Sequence, residues 1–203
     1  MPPTATGRRA EYAELTAEAI ITAARELFTE RGYFATTVNQ IAERARVAPA
    51  TVYAVAGGKH GLIATLVERW STAPIVAERG APIIASRDAR EVLRLTAEVV
   101  RDMRLEYGDI MCTARSVAPH DEAVAESLRT ATHRYRSSLD AVAGHLHALG
   151  ALGVDAAVAA DVLWFYFGYT GYESLVKENA WPYERATEWL TAQAAHALGI
   201  SSL

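Results

Sequence analysis

The sequence has few of the residues from which disulfides, metal sites or catalytic centres are built. Cys112 is the only cysteine, so the chain can form neither an internal disulfide nor a cysteine-based zinc site. We expect Cys112 to be a buried free thiol, with a redox sensor as the alternative. There is no HExxH metal motif, no GxSxG elbow and no phosphate-cradling glycine loop. These absences predict no cofactor, no metal site and no catalytic residues, and they argue against an enzyme.

Long apolar runs and a strong excess of one charge are also missing. No stretch of the 203 residues approaches the roughly 18 consecutive apolar residues of a membrane span. The segment from Met1 to Gly7 lacks the charged-then-apolar order of a signal peptide, so we expect a cytoplasmic protein with no membrane partner. The net charge of -4 argues against a protein that coats nucleic acid through bulk positive charge.

Apolar residues recur at helical spacing along the chain, and the period-two alternation of strands is nearly absent. Ile20, Ala24, Leu27 and Phe28 form the stripe of a half-buried helix that Gly32 ends. The predicted helices cover Leu15 to Arg31, Thr37 to Ala45, Pro49 to Ala56, Lys59 to about Ala73, Asp88 to Tyr107 with a short continuation to Val117, Asp121 to Leu149, Asp155 to Asn179, and Tyr183 to Leu198. A loop is expected around Arg79 to Pro82. The fold class is therefore all-α, with about nine helices.

The second and third helices are short and joined by a tight turn. Thr37 and Gln40 form a capping box at the start of the second helix, and Pro49 suits the first turn of the third. Val52, Val55 and Ala56 share one face of this third helix. Together with the longer helices on either side, the pair predicts a helix-turn-helix whose second member can enter a DNA major groove.

Two segments carry a resemblance to a known family. They are Ile21 to Tyr53, with the motifs AARELF, ERGY, TTV..IA and V.P.TVY, and Gly57 to Ile63, with GGK..L. In this order and spacing they closely resemble the DNA-binding region of the TetR/AcrR family of regulators. The resemblance implies an N-terminal arm and three-helix DNA-binding domain over 1–58, a connecting helix over about 59–73, and a ligand-sensing and dimerisation bundle over 74–203.

The resemblance also implies which residues contact DNA. Thr37, Tyr53 and Lys59 are expected to bind phosphates, and their hydroxyl and ammonium groups suit that role. For Thr37 a cap alone, and for Tyr53 packing alone, are the alternatives. Base edges are expected to meet the outer face of the third helix. The full DNA-binding set is Thr37, Arg46, Pro49, Ala50, Thr51, Tyr53, Ala54 and Lys59.

The sequence departs from the family pattern at three places. Arg46 stands where the family usually has a turn glycine, so either it adopts positive φ or the turn differs. Ala48 replaces the usual Ser or Thr cap, and Val55-Ala56 lacks the usual His-Phe pair. Because alanines discriminate bases poorly, we expect specificity from Thr51, from Arg46 and from an arm bearing Arg8 and Arg9 that reaches the minor groove. A disordered tail is the alternative for this arm.

The C-terminal part is expected to sense a ligand and to form a dimer. The last helices carry more apolar surface than one helix face buries, which predicts an interface, with an intrasubunit core as the alternative. The expected interface residues are Phe167, Gly168, Gly171, Tyr172, Leu175, Trp189 and Leu190. The expected ligand-binding residues are Met103, Tyr107, Met111, Cys112, Arg115, Tyr135, Trp164 and Tyr166. Arg115 indicates either an anionic group in the ligand or a surface ion pair.

These features predict a ligand-responsive transcriptional repressor. It would bind a palindromic operator in double-stranded DNA as a homodimer, and an unidentified small-molecule effector would release it. The alternative is a helical protein-binding adaptor that has lost DNA readout. The Ala48 and Arg46 departures favour this adaptor, and the retained Tyr53 and Lys59 argue against it.

Overall fold

The computed structural model describes residues 5–200, with only the backbone described for 5–9, and within this range all regular structure is helical. The helices are α1 (Ala5–Arg31), α2 (Val38–Ala45), α3 (Pro49–Ala56), α4 (Lys59–Ser71), α5 (Pro74–Ala85), α6 (Ala89–Val117), α7 (Glu122–Ala148), α8 (Ala156–Phe167), α9 (Tyr169–Tyr172) and α10 (Tyr183–Ala197). A 3-10 turn, Ala118–His120, joins α6 to α7, and a π-helical turn, Glu173–Glu178, follows α9. The predicted all-α fold class is confirmed. Over the described range, none of the helices combines the length and apolar character needed to cross a bilayer.

The chain forms two compact units. The first comprises Met1–Ser71 and Tyr107–Ala131, and the second comprises Thr72–Glu106 and Thr132–Leu203. Helices α6 and α7 therefore contribute residues to both units. In the first unit the stripe predicted on α1 is buried, with Ile20 and Ala24 fully inaccessible to solvent. Burial of this stripe holds α1 against α2 and α4, which places the short helices of the first unit.

Helix α1 begins earlier than the predicted start at Leu15. Its first turns start at Ala5, and both Tyr12 and Leu15 are largely exposed. The stretch contains no proline, and alanine and glutamate there favour helix without needing a buried face. The backbone of Arg8 and Arg9 is thus helical, whereas the side chains of the predicted arm lie outside the described residues.

The loop predicted around Arg79 to Pro82 is wrong, because this segment lies within α5. Proline removes one intrahelical hydrogen bond, which would have reached the carbonyl of the exposed Glu78, where water can replace it. The single helix predicted from Asp155 to Asn179 is also wrong. Helix α8 ends at Phe167, and the N–H of the next residue, Gly168, donates to the Trp164 carbonyl at 2.7 Å. A Cβ on Gly168 would lie 2.2 Å from that carbonyl oxygen, so only glycine fits this break.

The core of the second unit includes several of the residues expected at the dimer interface. Leu93, Leu146 and Leu163 form this core with side chains from the last helices. Four of the expected interface residues, Phe167, Gly168, Tyr172 and Leu190, are buried within the chain itself. Their apolar surface is covered by packing within the chain, and a contribution of these positions to a dimer interface stays a prediction.

Candidate nucleic-acid interface and sensor residues

The N-terminus of α2 carries the predicted capping box. The Gln40 N–H donates to the Thr37 hydroxyl oxygen at 3.2 Å, and the Thr37 N–H donates to the Gln40 side-chain carbonyl at 2.9 Å. These bonds satisfy two donors and fix the direction in which α2 begins. The Thr37 side chain remains exposed, so capping and contact with a phosphate are compatible at this position.

Arg46 ends α2 in the left-handed conformation, with φ 56° and ψ 42°. Of the two possibilities at this position, the positive φ is therefore the one adopted. The Arg46 N–H donates to the carbonyls of Ala42 and Glu43, which closes the turn toward α3. Arg44, by contrast, is held by Glu26 and Glu30 on α1 at 2.9 Å each. Among residues 5–200, the Arg46 guanidinium makes no ion pair and is open to solvent.

Helix α3 presents a small, mostly apolar outer face. Pro49 occupies its first turn. Ala48 stands at the N-cap and provides no side-chain hydrogen bond, as expected for alanine in place of Ser or Thr. Val52 is completely buried and anchors the helix, whereas Val55, predicted to share its face, is 39% exposed. Only one apolar side chain therefore anchors α3 fully. The expected DNA-contacting residues Pro49, Ala50, Tyr53 and Ala54 are exposed, with Tyr53 at 56%, and Thr51 is half-buried.

Lys59, expected to contact phosphate, is already engaged by protein groups. Its ammonium donates to the carbonyls of Tyr33 at 2.7 Å and Thr36 at 2.6 Å, and lies 4.4 Å from the centre of the Tyr33 ring. Partial burial lowers the pKa of this lysine below its ordinary value. Lys59 therefore stabilises the connection between α1 and α2. This structural role is sufficient to explain a lysine at this position, whether or not it also contacts DNA.

Gly61 is a structural requirement that sequence reasoning missed. A Cβ at this position would lie 1.7 Å from the Ala56 carbonyl oxygen, at the end of α3. Because backbone cannot yield as a flexible side chain can, any larger residue must displace α3 or α4. The glycine-rich joint between these helices therefore sets the position of α3 as well as its end.

A partly buried ion pair links α1 to α6 within the first unit. Arg25 donates to both Asp109 oxygens, at 2.7 and 2.9 Å, and the Thr29 hydroxyl donates to the same carboxylate at 3.2 Å. Burial raises the pKa of Asp109, but the bonds from Arg25 and its charge outweigh this effect and leave the pKa lowered. The partners are 84 residues apart, so no local sequence pattern pointed to the pair.

The structure divides the eight expected ligand-binding residues between the two units. Tyr107, Met111, Cys112 and Arg115 belong to the first unit, and Met103, Tyr135, Trp164 and Tyr166 belong to the second. Met103 and Met111 are buried, and the other six are half-buried, Cys112 among them. The Tyr135 and Trp164 rings meet edge to face at 5.5 Å, and Tyr169 packs against both.

Arg104 organises a polar chain in the second unit that sequence reasoning missed. Its guanidinium donates to the Gly168 carbonyl at 2.6 Å and lies 5.0 Å from the centre of the Tyr172 ring. The Tyr172 hydroxyl donates to Thr187 at 2.9 Å, and burial raises the Tyr172 pKa to about 12. The Tyr135 hydroxyl donates to the Phe167 carbonyl. Arg104 lies on the same helix face as Leu93, Ala97 and Val100. A charged residue on this apolar face was the sequence feature that could have indicated a buried arginine.

Three large apolar residues are exposed on α8 and α10, and one of them is an expected interface residue. Val158 and Phe165 are 45% and 67% exposed on α8, and Trp189 is 43% exposed on α10. Trp189 is therefore the expected interface residue that reaches the surface, while Gly171 and Leu175 are half-buried. The three residues defined here, Val158, Phe165 and Trp189, are called the apolar strip below.

The sequence comparison identifies the class to which the helix-turn-helix belongs. Residues 20–66 match the family model described as bacterial regulatory proteins, tetR family. The resemblance seen in the sequence motifs is therefore confirmed over residues 20–66. This family consists of DNA-binding transcription factors rather than enzymes. No curated protein matches the sequence.

Solved structures extend the similarity over almost the whole chain at the level of fold. A putative TetR-family regulator from Mesorhizobium loti shares 16% identity at a TM-score of 0.74, covering 94% of this chain and 98% of its own. One from Syntrophomonas wolfei shares 17% at 0.72, covering 93% and 97%. SmeT, solved as a complex with triclosan, shares 20% at 0.71, covering 90% of each chain. The second unit as well as the first is therefore built as in TetR-family structures.

Proposed function

We propose that this protein is a ligand-responsive transcriptional repressor that binds a palindromic operator as a homodimer and is released by a small-molecule effector. The observation that carries the proposal is the exposed face of α3, which projects from a helix-turn-helix fixed by Val52 and Gly61. An α-helix presented in this way fits a major groove about 12 Å wide.

DNA contacts divide into those that position α3 and those that read sequence. Thr37 and Tyr53 are assigned to phosphates, because both hydroxyls are exposed at the helix-turn-helix. Arg46 adds a charge at the turn that no carboxylate within residues 5–200 neutralises. Pro49, Ala50, Thr51 and Ala54 meet base edges through apolar contact and one hydroxyl. Lys59 is kept as a phosphate contact, because its ammonium group has three N–H donors and the carbonyls of Tyr33 and Thr36 use only two of them.

The decisive experiment is fluorescence-anisotropy titration of DNA upstream of the protein's own gene, at two salt concentrations and with excess random competitor. The test variant combines Tyr53→Phe with Arg46→Ala, which leaves the Lys59 brace intact. Tyr166→Phe removes the same hydroxyl from a half-buried position on α8 and serves as the matched control. Thermal melting of each variant establishes that it folds.

We expect saturable binding that survives competitor and weakens with salt. The double variant should lose about tenfold or more in affinity, and its salt dependence should fall by about two units of slope, since the homodimer loses one phosphate-facing charge from each copy. The control should bind as the wild type does. Binding no tighter than to random DNA, repeated across a genomic fragment library, would contradict the proposal and favour the protein-binding adaptor.

A second copy of the chain is the proposed occupant of the apolar strip. Two-fold symmetry would present two α3 helices to half-sites roughly 34 to 36 Å apart, as a palindromic operator requires. Exposed aromatic residues of this kind are enriched at interface cores. Phe165→Glu combined with Trp189→Glu should give a monomer in sedimentation equilibrium, while Leu105→Glu, equally exposed but on α6, should stay dimeric. A dimer that survives the double substitution would place the interface elsewhere.

Release by an effector rests on the fold of the second unit. SmeT, which shares this fold, was solved as a complex with triclosan, so a protein of this fold can bind a small molecule. An effector changes DNA affinity only if it binds one conformation of the protein better than the other. A small-molecule screen for loss of anisotropy with the operator fragment tests this part. Compounds that tighten DNA binding instead would identify co-repression rather than release.

A further inference from the structure

A groove of about 890 Å³ separates α6 from α10 within the second unit, and none of the eight expected ligand-binding residues lines it. Its α6 wall extends from Arg90 to Arg101, which is about 16 Å at 1.5 Å per residue. Its α10 wall extends from Glu184 to His196. A volume of this size lies in the range of sites for small organic ligands.

The floor of the groove is apolar and made of small or buried side chains. Leu93 and Ala97 form it on the α6 side and are almost completely buried, and Ile200 closes one end. Ala192 and Ala195 line the α10 side and leave the space that larger residues would fill. An elongated apolar body would therefore lie along the groove and lose contact with water on one side.

The arginines of the α6 wall are already engaged. Arg94 is bonded to Glu91 at 2.7 Å and also to Glu98, and Arg101 is bonded to Asp102 at 2.8 Å. Bonding to Asp102 chiefly, with the charges of Glu98 and Glu184 adding to it, raises the pKa of Arg101. The remaining arginine of this wall, Arg90, takes part in an interaction as well.

The α10 wall is different, because Glu188 has an exposed carboxylate that makes no hydrogen bond or ion pair with any residue from 5 to 200. Glu184, one helical turn earlier, faces Arg101. The lining carries three arginines and three glutamates, and the Glu188 carboxylate is left without a bonded partner among residues 5–200, beside an apolar floor. Such a combination attracts a cation carried on an apolar chain and disfavours the corresponding anion.

We propose that the groove between α6 and α10 binds an amphipathic organic cation, with its ammonium group at Glu188 and its apolar chain over Leu93 and Ala97. Binding at this site requires neither DNA nor the operator. A failure here, measured on the protein alone, leaves the proposed repressor function untouched, and a failure to bind DNA leaves this site untouched.

Calorimetric titration of the full-length protein with decyltrimethylammonium, below its micelle-forming concentration, tests the site. Decanoate has the same chain length and the opposite charge. Glu188→Gln removes the charge at constant size, and Glu178→Gln makes the same change on the exposed π-helical turn, away from the groove. Ala192→Leu fills part of the groove without altering charge. Thermal melting verifies that each variant is folded.

The cation should bind with a stoichiometry of one per chain and more weakly as salt is raised. Glu188→Gln should weaken it about fivefold, which is the upper range for an exposed ion pair. Ala192→Leu should weaken it as well, and Glu178→Gln should have no effect. Equal or tighter binding of decanoate would overturn the assignment of charge. Unchanged binding to both Glu188→Gln and Ala192→Leu would overturn the location.

Discussion

The left-handed conformation of Arg46 allows the backbone geometry of the helix-turn-helix to be tested separately from its charge. Holding a non-glycine residue at φ 56° costs about 1 to 2 kcal/mol. Arg46→Gly removes this strain, but the unfolded chain gains freedom worth about 0.5 to 1 kcal/mol. The free energy of unfolding should therefore rise by about 0.5 to 1 kcal/mol, which raises the melting temperature by about 1 to 4 °C in a chain of this length.

Arg46→Ala is the comparison that keeps the strained backbone and removes the guanidinium. The Arg46 side chain is exposed and makes no ion pair among the described residues. The free energy of unfolding of the Arg46→Ala protein should therefore stay within about 0.5 kcal/mol of the wild type. Both variants lose the same charge. Their operator affinities should therefore fall together, while only Arg46→Gly should become more stable.

Ala180 provides an independent control for the strain, since it also has positive φ, at 55°, and lies outside the helix-turn-helix. Ala180→Gly should gain stability as Arg46→Gly does and should bind operator unchanged. Urea and thermal denaturation measure the first quantity and anisotropy the second. If Arg46→Gly were no more stable than Arg46→Ala, the assignment of strain to this turn would be refuted.

Three further predictions concern residues that connect the helices of the first unit, namely Gly61, Asp109 and Thr37. Gly61→Ala should lower the free energy of unfolding by about 3 kcal/mol, whereas Gly144→Ala, at an exposed position of α7, should raise it by about 0.5 to 1 kcal/mol. Equal effects in urea denaturation would contradict the close approach at Gly61. Asp109→Asn should cost about 1 to 3 kcal/mol at neutral pH. Since the folded pKa of Asp109 is lowered, the difference from wild type should persist above about pH 3.8 and vanish as pH falls through that pKa; a difference that is constant with pH would exclude the Arg25 pairing as its source. Thr37→Ala should cost about 1 kcal/mol in thermal denaturation while Thr37→Ser keeps the cap, and equal losses would show that the hydroxyl bond contributes nothing.

The helix-turn-helix could be predicted from sequence because its determinants are local. The Thr37–Gln40 capping box spans one turn, and the positive φ of Arg46 follows from its place at the end of a short helix. Spacing predicted that Val55 shares a face with Val52, yet Val52 is fully buried and Val55 is 39% exposed. Val52 is the single fully buried residue of α3, so the connections at the two ends of the helix set its orientation. Helical periodicity carries no information about these connections.

Prediction was poorer where an element is defined by contacts between distant segments. Pro82 suggested a loop, yet α5 tolerates it because the lost hydrogen bond falls on a solvent-exposed carbonyl. Aromatic and apolar residues near Gly168 suggested a dimer surface, but Phe167 and Tyr172 pack inward. A count of apolar residues does not distinguish a core from an interface, since both bury the same side chains.

The sensor residues were the least predictable, for a reason that Arg104 makes concrete. Half-buried aromatic and methionine residues on middle helices are equally suited to a core and to a pocket, so their chemistry alone selects neither. A charged residue on an apolar stripe is more informative, because burying a guanidinium requires acceptors that the surrounding backbone must supply. Here the acceptors are the carbonyls of Phe167 and Gly168, which the break after α8 frees from helical hydrogen bonding. The carbonyls at the irregular helix end therefore accept hydrogen bonds from the buried arginine. This pairing could have been predicted from the sequence, because it joins a glycine that breaks a helix to a charged residue on an apolar helix face.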